Sequence, residues 1–143
     1  HIYRHVFHEG IGLRQMLDYY FILLHSNAEE RQEAMRTLKW LELGRFAAAV
    51  IYVQKEVFNL DEDKFLCKPD ETAGTFLLNE IMAAGNFGRY DDRIKEAHSG
   101  GSLKLYLYNI KRLMGMIRFY PSEVLWAPIW KPAHWCWRMV KGY

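Results

Sequence analysis

Three stretches of the chain hold residue types at spacings that could do chemistry. At the amino end, His1, His5 and His8 with Glu9 place imidazoles at i and i+4 of a helix and a third three residues on, a metal-binding spacing. No acid stands between the first two His, as a zinc protease helix requires, so the polar residues of a fraying helix end are the preferred reading and no metal site is expected. Next comes Glu9-Gly10-Ile11-Gly12-Leu13-Arg14-Gln15, a Gly-containing turn leading straight into a helix. Such a turn lets backbone approach a ligand, a helix start offers unpaired N–H groups to an anion, and Arg14 adds a bidentate donor. Asp18, one turn beyond Arg14, could hold its guanidinium as a structural lock or receive a ligand hydroxyl. The third, Asp61-Glu62-Asp63, has the spacing of a metal-binding carboxylate pair, but it sits in a polar connection without β-branched strand residues around it and reads as solvated loop.

These residues must be positioned by helices, because the apolar periodicity is helical throughout. Leu13, Leu17, Tyr20 and Leu24 mark one face of a helix running to about His25. Ser26 and Asn27 offer the next N-cap, followed by Glu29, Glu30 and Glu33 in the first turns and an apolar side of Met35, Leu38 and Leu41. Gly44 is expected to supply the stop. Arg45 to Phe58 carries Phe46, Val50, Val53 and Val57 with Ala47, Ala48 and Ala49, a central helix whose small residues allow close contact. Residues 59 to 71 break the pattern and read as a surface connection. A helix from about Pro69 or Asp70 carries Phe76, Leu77, Ile81 and Ala84, with Gly85 as its stop. After the turn-rich Gly85-Asn86-Phe87-Gly88, a long helix follows Ser102 with Leu103, Tyr106, Ile110, Leu113, Met114 and Ile117 inward and Lys104, Lys111 and Arg118 outward. Pro121-Ser122-Glu123 opens a last helical region that Pro128 and Pro132 should kink or interrupt, with Trp126, Trp130, Trp135 and Trp137 expected in core or interdomain contacts. No repeat is present. The expectation is an all-α single bundle of about six helices spanning 1–143.

Composition agrees with a folded chain: of 143 residues, 50% are hydrophobic, 25% charged and 15% aromatic, which argues against disorder. Charge is unevenly placed. Residues 1 to 88 hold 9 basic and 13 acidic residues, and residues 89 to 143 hold 10 and 4, so a net −4 faces a net +6. This asymmetry is either internal complementarity or a positive face for phosphates. Cys67 and Cys136 share no metal-like spacing and suit ordinary thiols in a reducing cytoplasm. The longest apolar run, Phe46 to Val53, is far below the roughly 20 residues that span a bilayer, so no membrane partner is expected. The first residues lack an initiating Met and a signal-peptide layout, and read as a chain entered in the middle.

His5, His8, Gly10-Ile11-Gly12-Leu13-Arg14-Gln15 with Asp18, Leu78-Asn79-Glu80-Ile81, Gly85-Asn86-Phe87-Gly88 and Tyr120-Pro121-Ser122-Glu123-Val124-Leu125-Trp126 together resemble a family of bacterial nucleotidyltransferases in the DNA polymerase β superfamily. The resemblance implies the helical carboxy-terminal domain of a two-part parent, partnered by an upstream catalytic domain. It further implies Mg2+ and a nucleoside triphosphate for that parent, with no cofactor held by this chain. The superfamily's catalytic signature is a Gly-Ser or Gly-Gly at a helix start followed, about ten residues on, by Asp-x-Asp or Asp-x-Glu on a strand that binds metal. Gly101-Ser102 precedes a helix, but no acidic residue follows before Glu123. The chain alone is therefore not expected to transfer nucleotides. By resemblance, Gly10, Gly12, Arg14, Gln15, Asp18 and Asn86 would shape a nucleotide or acceptor pocket. The alternative is a non-enzymatic helical interaction module whose aromatic carboxy terminus docks a partner. A third reading, in which the basic and aromatic residues track a single-stranded nucleic acid, is less favoured.

Overall fold

A computed structural model describes residues 11–84 and 101–141. The described residues form six α-helices and one short 3-10 turn with no strand, so the chain is all-α. In chain order these are α1 (Leu13–His25), α2 (Ala28–Trp40), α3 (Gly44–Phe58), the 3-10 turn Glu62–Lys64, α4 (Glu71–Ala84), α5 (Gly101–Met116) and α6 (Pro121–Lys141). They fall into two compact units, His1–Asp91 and Asp92–Tyr143.

The first unit is built around α3, which contacts α1, α2 and α4. Its buried residues Phe46, Ala47, Ala49, Val50, Ile51 and Val53 run round much of the helix, as the sequence predicts for a central element. Against α4 the approach is close: a Cβ added to buried Gly74 would collide with Cβ, Cγ and Cδ1 of Tyr52. Asp70 pins the start of α4. Its Oδ1 accepts from the Ala73 N–H at 2.9 Å, its own N–H donates to the Ala48 carbonyl of α3 at 3.2 Å, and its Oδ2 lies 3.6 Å from Arg45 Nε.

Several local expectations shift. On α1 the buried residues are Met16 and Leu23, while Leu13 and Leu17 are exposed. The inward stripe is therefore rotated from the one the Leu spacing suggests, because Leu23 packs against Ile51 of α3 and Leu60, with the expected Tyr20 beside it. Gly44 does not stop α2 but begins α3. The stop is Glu42, at φ 59, where the Leu43 N–H donates back to the Leu38 carbonyl at 2.7 Å. Likewise Asn59, at φ 52, ends α3, and the Leu60 N–H returns to the Gln54 carbonyl. The 59 to 71 connection is more than surface. Leu60 joins Leu23 and Ile51 in a core cluster, and Phe65, Leu66 and Cys67 pack against it. Asn27 caps α2 as read from sequence, accepting from the Glu30 N–H at 2.9 Å while Glu30 Oε2 accepts from the Asn27 N–H at 2.8 Å.

In the second unit, α5 and α6 are in contact. Between them the Phe119 and Tyr120 N–H groups both donate to the Met116 carbonyl at 2.9 Å, and Met116, Phe119, Tyr120 and Val124 are buried. Leu103 and Met114, expected inward on α5, are exposed. Pro121 occupies the first helical position of α6, where its missing N–H costs nothing. That helix continues through Pro128 and Pro132 to Lys141 without interruption.

Two substitutions test this packing. Gly74→Ala gains roughly 1 kcal/mol of helix propensity, but the collision involves the root of Tyr52, which cannot swing away, and overpacking costs roughly 1–3 kcal/mol. A net loss is expected in chemical denaturation, and an unchanged midpoint would contradict the close α3–α4 approach. Glu42→Gly relieves a left-handed backbone and should raise stability by about 0.5–1 kcal/mol.

Candidate functional site

The sequence-predicted site lies at the start of α1. Ile11 and Gly12 are buried, and Gly12 takes an extended conformation at φ −108, ψ 170, open to any residue. Its N–H donates to Gln15 Oε1 at 3.0 Å, and the Gln15 N–H donates to the Gly12 carbonyl at 3.2 Å. Gln15 thus caps its own helix. Arg14 and Asp18 are exposed one turn apart, which leaves no buried lock between them and presents a cation and a carboxylate to solvent. Gly10 and Asn86, like His1, His5, His8 and Glu9, lie outside the described residues. Asp61, Glu62 and Asp63 are all exposed around the 3-10 turn. Among the described residues no group of three His, Cys, Asp or Glu side chains could hold a metal.

An open groove of about 1210 Å³ runs between α1 and α2, lined in part by Tyr19, Ile22, Glu30, Glu33 and Arg36. None of Gly12, Arg14, Gln15 or Asp18 lines it. At one end Arg31 crosses the α1–α2 turn, donating to the Ser26 carbonyl and, through Nη2, to the Asp63 carbonyl at 2.9 Å.

Beneath α1 lies Gln54, the one buried polar side chain among the described residues. Its Nε2 donates to the Met16 carbonyl at 2.8 Å, while Oε1 has no hydrogen-bond partner. Its signal in the sequence is one of spacing: Phe46, Val50 and Gln54 are four apart, so a polar residue continues an apolar stripe.

Burial raises the Cys67 thiol above its ordinary value, opposed in smaller measure by the Lys39 charge. A raised thiol keeps its proton and is a poor nucleophile. The sign follows from linkage. The folded chain holds that proton more tightly than the unfolded chain, so this group's contribution to stability is full below the unfolded value and is lost as pH rises through the folded one.

In the second unit, the tryptophans expected in core or interdomain contacts do not enter the core. Trp126, Trp130, Trp135 and Trp137 are 65%, 64%, 61% and 53% exposed, so they are not core. The His134 ring stacks between Trp130 and Trp137, with centroids 5.8 Å from each, as positions i, i+4 and i+7 allow. Periodicity could place these residues on one helix, but not say which side meets a neighbour.

The cap at α1 makes a separable prediction. Gln15→Ala removes one hydrogen bond to a backbone N–H and should cost about 1 kcal/mol in thermal or chemical unfolding, whereas Arg14→Ala should leave stability within about 0.5 kcal/mol.

No protein-family model, curated protein or solved structure matches the chain.

Proposed function

We propose that this chain is a non-catalytic helical docking domain that works in the cytoplasm, with the apolar and aromatic face of α6 as its docking element. The observation that carries this is the exposure of α6: from Leu125 to Val140 it presents Leu125, Trp126, Ile129, Trp130, Trp137 and Val140, each more than half exposed. Contiguous exposed apolar surface of this kind marks interaction sites in soluble and peripheral proteins. The free thiols of Cys67 and Cys136 suit a reducing compartment.

The docking reading requires that the α6 tryptophans do little for folding. Trp130→Ala should therefore change unfolding free energy by no more than about 0.5 kcal/mol. A loss of about 3–5 kcal/mol, the cost of emptying a buried Trp site, would make the residue core and end this reading.

A second reading follows from the resemblance to nucleotidyltransferases: the helical partner of an upstream catalytic domain, with Mg2+ and a nucleoside triphosphate bound by the whole parent. It is favoured by one observation, the exposed Arg14 and Asp18 one turn apart beside the start of α1. Arg14→Ala in the parent protein should then weaken nucleotide binding while leaving the fold intact, and unchanged affinity would retire it.

A further inference from the structure

The α6 face has a chemical grain that names its partner. At 100° per residue, Trp126, Trp130 and Trp137 fall within about 40° of one another. Ile129 and Val140 adjoin that row on one side, and Lys141, His134 and Arg138 adjoin it on the other. The apolar arc is thus joined at its carboxy-terminal end by two cations, Arg138 and Lys141. From Val124 to Lys141 the chain contains no Asp or Glu, and over residues 101 to 141 seven Lys or Arg stand against the single Glu123. The layout recurs on α5, where exposed Leu103, Leu107 and Met114 lie on one row beside Lys111. No described helix is long and apolar enough to cross a membrane.

We propose that the second unit seats on an anionic lipid surface, with α6 lying in the plane of the interface, its Trp row at headgroup depth and Arg138 and Lys141 against lipid phosphates. The inference rests on the docking reading and identifies its partner. Three features select lipid. Trp is the side chain suited to the water–hydrocarbon boundary, having an apolar body and one N–H to satisfy. Basic residues beside the apolar arc let one orientation satisfy both the hydrophobic and the electrostatic term, as in interfacial helices. The aliphatic share of the face, Ile129 and Val140, has no use on a single-stranded nucleic acid, where bases stack on aromatic rings. The cytoplasmic leaflet supplies the complementary negative charge. Trp135 and Met139, although exposed, lie on the far side of α6 and take no part.

The test is co-sedimentation of the whole chain with phosphatidylserine–phosphatidylcholine vesicles and with pure phosphatidylcholine vesicles, alongside Trp emission. Binding is expected to the anionic vesicles, with a blue shift, and to weaken with salt. The pair Arg138→Gln and Lys141→Gln should lower partitioning roughly 25-fold at unchanged helix content, about fivefold per charge. Trp126→Ala with Trp130→Ala should lower it roughly tenfold or more, while Trp135→Ala leaves it unchanged. Equal affinity for both vesicle types, or equal loss with Trp135→Ala, overturns the proposal. Tighter binding to a single-stranded RNA oligonucleotide, with displacement from vesicles, also overturns it and assigns the face to nucleic acid. Acrylamide quenching of the chain alone separates the two levels of inference. Quenchable tryptophans without vesicle binding defeat the lipid assignment and leave docking to another partner, whereas shielded tryptophans in the free monomer defeat both.

Discussion

The first unit depends on one close approach, between α3 and α4 at Tyr52 and Gly74. Helix axes can come this near only where a residue without Cβ faces a ring. The seam ties down the ends as well: Asp70 caps α4 with its side chain and hydrogen-bonds α3 with its backbone. Once α3 and α4 are fixed, the connection between them must fold back, which places Leu60 and Phe65 against Leu23 of α1. The third helix of the core is therefore held by a segment that is itself irregular.

This dependence explains what the sequence made legible. Helix content, the Asn27 cap, the centrality of α3 and the opening of α6 at Pro121 follow from local rules of propensity, capping and periodicity, which act over a few residues. Burial does not. Leu13 and Leu17 have the right spacing for a core stripe, yet Met16 and Leu23 are the ones covered, because the rotation of a helix about its axis is set by its neighbours. The same limit applies to α6, whose tryptophans read as core or interdomain contacts by spacing and are solvent-facing in the structure. Glu42 shows a further limit: a left-handed helix end prefers Gly or Asn, which fits Asn59, but Glu42 carries no such signal.

At the candidate site the division is similar. The start of α1 was legible as a Gly-containing turn entering a helix, and the structure adds that Gly12 and Gln15 engage each other while Arg14 and Asp18 stay exposed. Gln54 was legible only as an interruption of a stripe, since its worth depends on a carbonyl 38 residues away. Charge, by contrast, was fully readable: the acidic part of the sequence coincides closely with the first unit and the basic part with the second. The two units therefore differ in electrostatic character as well as in packing.

One helix stands apart. No residue of α2 is buried, and it is secured chiefly at its ends, by the Asn27 cap, the Arg31 contacts and the Glu42 turn, with Glu29 and Glu30 at the positive end of its dipole and Lys39 at the negative end. A helix held this way contributes little to the cooperative core. With no fully buried side chain to tie it to the core, α2 meets the condition under which a helix opens at a lower free energy than the unit around it.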